Sequence, residues 1–282
     1  MLENKELSMN KESAINITAS VQTDAGCVRE ANEDSGRHVS PNDPETQFKK
    51  GILTIVADGM GGHASGEIAS QMAVDLISEI YYADKMLSAS DALRDATEKA
   101  NRRIYETSLT DEKMFGMGTT VIALVLLNDK AFSAHVGDSR LYRLRGQTMK
   151  MMTLDHSQVM EMVKYGIISM EEARSHDDKN VILRAVGTQP DVEVEVSAPF
   201  AVEAGDQFLL CSDGLCDMLE DETIRQIWAS ASDVHAAGEE LINQAKLRGG
   251  HDNITVGIVR AAPLGAAEAS RNVRITREIA VA

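Results

Sequence analysis

Four aspartates stand where apolar segments stop or start, and this placement is the chemically informative feature of the chain. Asp58 closes the run Ile52-Leu53-Thr54-Ile55-Val56-Ala57, Asp138 sits at the hairpin corner Gly137-Asp138-Ser139, Asp213 closes 208–212, and Asp252 opens 253–260. In Asp58-Gly59 and Asp213-Gly214 the glycine permits a sharp turn and lets a backbone carbonyl approach whatever the carboxylate holds. Singly, each aspartate is an ordinary turn former. Together, carboxylates at strand ends can converge on a hard cation. An oxygen-only donor set suits Mg²⁺ or Mn²⁺ rather than zinc, and the seven histidines form no His-Glu-x-x-His. Two such ions roughly 3.5 to 4 Å apart share a water, lower its pKa and aim it at phosphorus. The chemistry implied is phosphate hydrolysis.

Upstream, Arg29-Glu30-Ala31-Asn32-Glu33-Asp34 offers a guanidinium and an acidic pair in a glycine-containing, turn-like setting. Arg29 can clamp a phosphate through its planar fork, and Glu33 or Asp34 can hold water on a cation. A surface salt-bridge cluster is the alternative, and such pairs contribute little.

Those residues need a scaffold. At 282 residues the chain suffices for a sizeable core. With no repeat and no Pro- or Gly-rich linker, one domain is expected over 15–262, between a flexible lead-in (1–14) and a tail (263–282). The run 52–57 predicts a buried strand. Ile68, Met72, Leu76, Ile77 and Ile80 predict one face of a following helix, and Leu93, Ala96, Ala100 and Ile104 that of a second, capped by Ser88 or Ser90. From Thr119 the pattern turns to short strands (119–127, 131–136, 141–145, 148–154), whose brief connections predict antiparallel neighbours. Further strands are expected at 192–196, 207–212 and 253–260, and a helix at 234–246. Helices in blocks beside antiparallel strands define an α+β protein.

Composition narrows the function. Twenty-eight Lys and Arg against 44 Asp and Glu leave a charge of −16, a field that repels nucleic-acid phosphates. No stretch is long and apolar enough for a bilayer span, and the N-terminus lacks the apolar core of a signal peptide. A cytoplasmic protein with no nucleic-acid or membrane partner is expected. Cys27, Cys211 and Cys216 are expected to be free buried thiols. None begins a Cys-x5-Arg loop, which disfavours a cysteine-nucleophile phosphatase.

The segments Arg29 to Asp34, Asp58-Gly59-Met60-Gly61-Gly62-His63, Gly118-Thr119-Thr120, Gly137-Asp138-Ser139-Arg140, Asp155-His156-Ser157, Arg184-Ala185-Val186-Gly187, Ser212-Asp213-Gly214 and Gly249-Gly250-His251-Asp252-Asn253 occur in this order. The chain thereby resembles the bacterial metal-dependent Ser/Thr protein phosphatases of type 2C, over nearly its whole length. The resemblance implies a four-layer α-β-β-α sandwich with a cleft between the edges of two antiparallel sheets. It implies that Asp58 bridges two catalytic Mn²⁺ or Mg²⁺ ions with the Gly59 carbonyl beside it, and that Asp213 and Asp252 complete the second ion. Glu33 and Asp34 would act through bound waters, Arg29 would hold the substrate phosphate, and Asp138 with Asp213 would make a third, weaker site. His63 would be the leaving-group acid, although Met60-Gly61-Gly62 separate it from Asp58-Gly59 in a way shorter family motifs do not. A metal-bound water is the other candidate for that proton.

Residues 158–180 match the family's flap. There Val159, Met160, Met162, Val163, Ile167, Ile168 and Met170 face either a protein substrate or one another. Expected partners are phosphorylated proteins and a cognate Ser/Thr kinase, with the chain a monomer. His156 and His251 read as structural. Two rivals stand beside this reading. Gly59-Met60-Gly61-Gly62-His63-Ala64 satisfies a dinucleotide fingerprint, but Asp58 would place a negative charge at a pyrophosphate loop. A catalytically inactive relative that binds phosphoproteins is the other, against which stand the intact Arg29, Asp58, Asp213 and Asp252.

Overall fold

The computed structural model describes residues 15–61, 65–263 and 274–277. The expected lead-in, most of the expected tail and His63 lie outside the described residues. In chain order the elements are β1 (Ile15–Asp24), β2 (Asp34–Val39), α1 (Pro44–Lys50), β3 (Ile52–Met60), α2 (Ser65–Ala83), α3 (Ala89–Ser108), β4 (Gly118–Thr119), β5 (Val121–Leu127), β6 (Lys130–Val136), β7 (Arg140–Arg145) and β8 (Thr148–Met151). There follow α4 (Gln158–Lys164), α5 (Met170–Arg174), β9 (Glu195–Val196), β10 (Phe200–Ala201), β11 (Gln207–Cys211), α6 (Asp213–Cys216), α7 (Asp221–Ser230), α8 (Val234–Leu247), β12 (Ile254–Pro263) and β13 (Arg274–Arg277).

The strands form two sheets, ordered β13-β1-β12-β11-β7-β8 and β10-β6-β5-β3-β2, with β4 on β3 and β9 on β6. Among the described residues every pairing is antiparallel except β1 with β13. Alternation along each strand builds the layers. Ile55, Ala57, Ala123 and Val125 meet α2 and α3 in one core. Leu209, Cys211, Val256 and Ile258 meet α7 and α8 around Trp228 and Leu241 in another. The alternate positions Val56, Ile122, Leu124, Phe208, Leu210 and Val259 fill the space between the sheets. Both faces of the central strands are buried, so their sequences read as continuous apolar runs. The result is the α-β-β-α sandwich that the resemblance implied.

Several expectations are corrected. The connection 137–139 is no hairpin: β6 lies in one sheet and β7 in the other, so Asp138 sits where the chain crosses between layers. Short loop length selects a neighbour in space, and here the neighbour is the facing sheet. The strand carrying Asp58 continues to Met60, because Gly59 and Met60 pair with Thr119 and Gly118. Strands β1 and β2 and helices α1 and α7 were not anticipated. On α2 the expected Ile77 is fully buried and Met72, Leu76 and Ile80 pack partly buried against the core, while Ala69, Ala73, Val74 and Tyr81 join the inward face and Ile68 alone of the expected set is exposed. The dinucleotide reading fails, since β3, which carries the start of the glycine motif, lies between antiparallel β2 and β5 and has no parallel neighbour among the described residues. Cys27 is exposed, whereas Cys211 and Cys216 are buried and unlinked.

Candidate metal centre

The site is assembled at strand ends on one side of the sandwich. Asp34 opens β2 directly opposite Asp58 on β3. The Asp58 N–H donates to Thr120 Oγ1 at 3.0 Å, and its carbonyl accepts from Thr119 Oγ1 and the Thr120 N–H, both at 2.8 Å. Thr120 Oγ1 also bonds Ser139 Oγ at 2.7 Å, which ties the Asp58 strand to the Asp138 crossing. That crossing needs Gly137: its φ is +105°, and a Cβ there would lie 2.7 Å from Thr120 Cβ. The His156 N–H donates to the Gly137 carbonyl at 2.9 Å, and the Gly137 N–H donates to His156 Nδ1 at 3.2 Å.

Asp213 begins α6 at the end of β11. The preceding Ser212 donates through Oγ to Asp34 Oδ2 at 2.7 Å and accepts the Thr255 N–H at 2.9 Å, joining the two sheets at this point. Asp252 precedes β12 and accepts from Arg29 Nη2 at 2.7 Å. Asn253 draws the Arg29–Asp34 segment to it: its Oδ1 accepts the Glu33 N–H at 2.8 Å, and its Nδ2 donates to the carbonyls of Ala25 and Ala31 at 3.0 and 2.9 Å. Gly59 allows the last approach. Its N–H donates to the Glu33 carbonyl at 3.1 Å, and a Cβ at 59 would fall 2.4 Å from that oxygen and 2.2 Å from the Gly66 carbonyl.

The acids therefore meet with too little positive charge to balance them. The Asp58 and Asp213 side chains lie within hydrogen-bonding reach of one another. Burial, then the charges of Asp34, Asp213 and Asp138, push Asp58 well above the usual carboxylate range. Burial and the neighbouring Asp213 and Asp252 raise Asp34 to about 7. Burial with Asp217 and Asp252 raises Asp213 to about 6. Asp138 is raised well above its ordinary value by burial and Asp213, and Glu33 is raised chiefly by burial. Asp34 Oδ1 and Asp213 Oδ1 are buried with no hydrogen-bond partner. Orphaned carboxylate oxygens among crowded like charges fit an all-oxygen cation site, since a divalent ion would satisfy the lone pairs and relieve the repulsion.

Asp34, Asp58, Asp138, Asp213 and Asp252 are thus linked by direct bonds or mutual charge effects, with Glu33 and Arg29 at the Asp252 side. Thr120, Ser139, Ser212 and Asn253 stand in the motifs of the resemblance but carry no role in the sequence reading. Their signal was adjacency, each standing one residue from a site aspartate or from a residue bonded to one. The flap helices α4 and α5 pack on themselves through Val159, Met160 and Ala173, with Val163 and Ile168 alongside, while Ile167 and Met170 are exposed. A cavity of about 80 Å³ between flap and core is lined by Asp138, Asp213, Arg140, Met160, Lys179 and Cys216. His135, His156 and Glu195 bring potential ligand atoms within 4.8 Å of one another. His156 Nδ1 is, however, occupied by the Gly137 N–H, so its Nε2 carries the proton in the neutral ring, and the group braces the Asp138 crossing. His251 is exposed.

The chain is similar to known proteins over most of its length. The family model "Protein phosphatase 2C" matches residues 44–249. The serine/threonine phosphatase stp of Listeria welshimeri is 37% identical over 246 residues, which are 86% of this chain and 94% of the relative. The crystal structure of the Mycobacterium tuberculosis serine/threonine phosphatase PstP/Ppp superposes with a TM-score of 0.78 at 33% identity, covering 88% of this chain and 100% of that one. The catalytic domain of PstP in complex with two manganese ions superposes with a TM-score of 0.75 at 31% identity, covering 88% and 100%.

Proposed function

Because the chain belongs to the protein phosphatase 2C family and is a metal-dependent serine/threonine protein phosphatase, we propose that its own cleft hydrolyses phosphoserine and phosphothreonine on proteins by direct attack of water. The observation that carries the reading is the meeting of Asp34, Asp58 and Asp213 with two buried carboxylate oxygens unsatisfied. Asp58, the Gly59 carbonyl, Asp213 and Asp252 would hold two Mn²⁺ or Mg²⁺ ions, Glu33 and Asp34 would act through waters, and Asp138 with Asp213 would take a third, weaker ion. Bound there, the ions would supply a water of lowered pKa and charge stabilisation at phosphorus.

The chain's residues do the rest. Arg29, half exposed at the rim, offers its fork to the phosphate and exchanges Asp252 for it. The hydrogen bonds of Thr119, Thr120 and Ser139 fix the backbone that carries Asp58, and Ser212 holds the Asp34 carboxylate, before substrate arrives, so little reorganisation is left for the transition state. His63 or a bound water returns a proton to the departing alkoxide. The phosphatase unit spans 15–262 and acts as a cytoplasmic monomer opposing a Ser/Thr kinase. No helix among the described residues is long and apolar enough to cross a membrane. The acidic surface repels acidic phosphoproteins at a distance, which leaves attraction to the ions and Arg29.

Single-turnover hydrolysis of a phosphopeptide in ¹⁸O-water tests the mechanism. Solvent oxygen is expected in the released phosphate with no trapped intermediate. A phosphoenzyme isolated on quenching contradicts it.

A further inference from the structure

Cys211 and Cys216 enclose Asp213 in a six-residue segment, Cys211 ending β11 and Cys216 ending α6. Their sulfurs lie 3.4 Å apart, so a bond of about 2.05 Å needs them to close by little more than an ångström. Cys211 is fully buried and Cys216 nearly so. Cys216 nevertheless lines the cavity of about 80 Å³ that also reaches Asp138 and Asp213, space for several waters and hence for a peroxide molecule. The two sulfurs differ in setting. Cys216 Sγ lies within hydrogen-bonding distance of Cys211 Sγ and, at 3.6 Å, of Tyr142 Oη, whose hydroxyl donates to Asp221 Oδ1 at 3.2 Å and accepts from Arg140 Nη1 at 3.2 Å. The Cys211 hydrogen bond, with the Arg140 charge, holds the Cys216 thiol below its ordinary range. The metal site as read above uses neither thiol.

We propose that Cys211 and Cys216 are a peroxide-reactive dithiol whose oxidation to a disulfide displaces Asp213 and switches the metal centre off. The consequence for activity rests on the phosphatase reading; the modification itself does not. Cys216 sulfur attacks one peroxide oxygen, the O–O bond breaks, and hydroxide leaves with the proton that Cys216 gave up, as water. Cys211 sulfur then attacks the Cys216 sulfenic acid. The S–S bond forms, the S–O bond breaks, and a second water departs with the Cys211 proton. Two thiols lose two electrons and peroxide gains them. Closing the ring shortens the path through Ser212, Asp213, Gly214 and Leu215. The carboxylate of Asp213 then leaves Asp58, and Ser212 is drawn from Asp34.

The experiment uses the full chain carrying Cys27→Ser, so that the exposed thiol does not report. Hydrogen peroxide is added, peptides are mapped by mass, and manganese retention is followed by electron paramagnetic resonance beside phosphopeptide hydrolysis. The expected result is a Cys211–Cys216 disulfide, with manganese affinity and activity reduced on the order of ten- to a hundredfold and both restored by dithiothreitol. Cys216→Ser should retain both after peroxide. Oxidation without that disulfide, or the disulfide with manganese affinity unchanged, overturns the proposal. A reduced protein that binds manganese but never hydrolyses phosphopeptide defeats the phosphatase reading instead, while the disulfide and manganese readouts still decide the switch.

Discussion

Asp34 and Asp58 are direct cross-strand partners, two carboxyl groups on facing positions with Asp213 close enough to share a proton with Asp58. Like charges placed opposite one another on a sheet destabilise it. Such a pair persists where a cation or a proton neutralises it, and that choice governs how the fold responds to pH and metal.

Metal-free, the protein should grow less stable as pH rises. Asp34 and Asp213 keep protons in the folded chain up to about 7 and about 6, against an ordinary value of 3.8. The folded state therefore binds more protons than the unfolded one across that window, and stability is lost as pH climbs through it. Scanning calorimetry with a chelator should give a higher melting temperature near pH 5 than near pH 8, and saturating Mn²⁺ should reverse the order because the ion competes with those protons. A metal-free melting temperature that rises over this range would refute the charge balance described.

Asp213→Asn separates function from stability. It removes a charge from the crowded set, so the metal-free melting temperature near neutral pH should rise, while hydrolysis of a phosphopeptide falls by about a hundredfold or more, beyond what loss of an outer-shell group costs. A variant that is less stable without metal contradicts the electrostatic account.

Asn253 positions the acids without being one of them. Asn253→Ala deletes three hydrogen bonds to the 25–33 segment, so a stability loss of about 1–3 kcal/mol is expected, with Mn²⁺ affinity weakened about tenfold to a hundredfold. Chemical denaturation and a manganese titration measure the two effects, and an unchanged affinity would assign Asn253 to the fold alone.

Arg29→Ala probes the phosphate clamp. The Arg29–Asp252 pair is about half exposed, so its removal should alter stability by no more than about 1 kcal/mol. KM for phosphopeptide should rise, and Arg29→Lys should recover little of it, since a point charge does not reproduce a fork. An unchanged KM would show that Arg29 serves only as the partner of Asp252.

How far the sequence reveals this molecule depends on the range of the forces involved. The runs 52–57 and 207–212 announce strands because burial on both faces leaves them apolar apart from Thr54, Gln207 and Ser212, and Ser88 announces α3 because its side chain caps the Asp91 N–H. Asp58, Asp138, Asp213 and Asp252 are visible as acids beside glycine or at segment ends. The crossing at Gly137-Asp138-Ser139 was illegible, because three residues can turn a hairpin or pass to a facing sheet and only packing chooses. Strand β1 was equally hidden: Ile15-Asn16-Ile17-Thr18 is weakly apolar and is held by its pairing with distant β12. Ser212 and Asn253 look like ordinary strand-end residues until Asp34 and Glu33, some two hundred positions away in the chain, are brought against them.

The central claim is that these carboxylates hold divalent ions for hydrolysis of phosphorylated serine and threonine. The most direct measurement is phosphopeptide hydrolysis by the reduced full chain as a function of Mn²⁺ concentration, beside Asp58→Asn and Asp213→Asn. The account predicts saturable activation by Mn²⁺ in the parent chain, complete inhibition by chelator, and at most residual turnover in both variants. Activity that survives chelation, or that both variants retain, would contradict it.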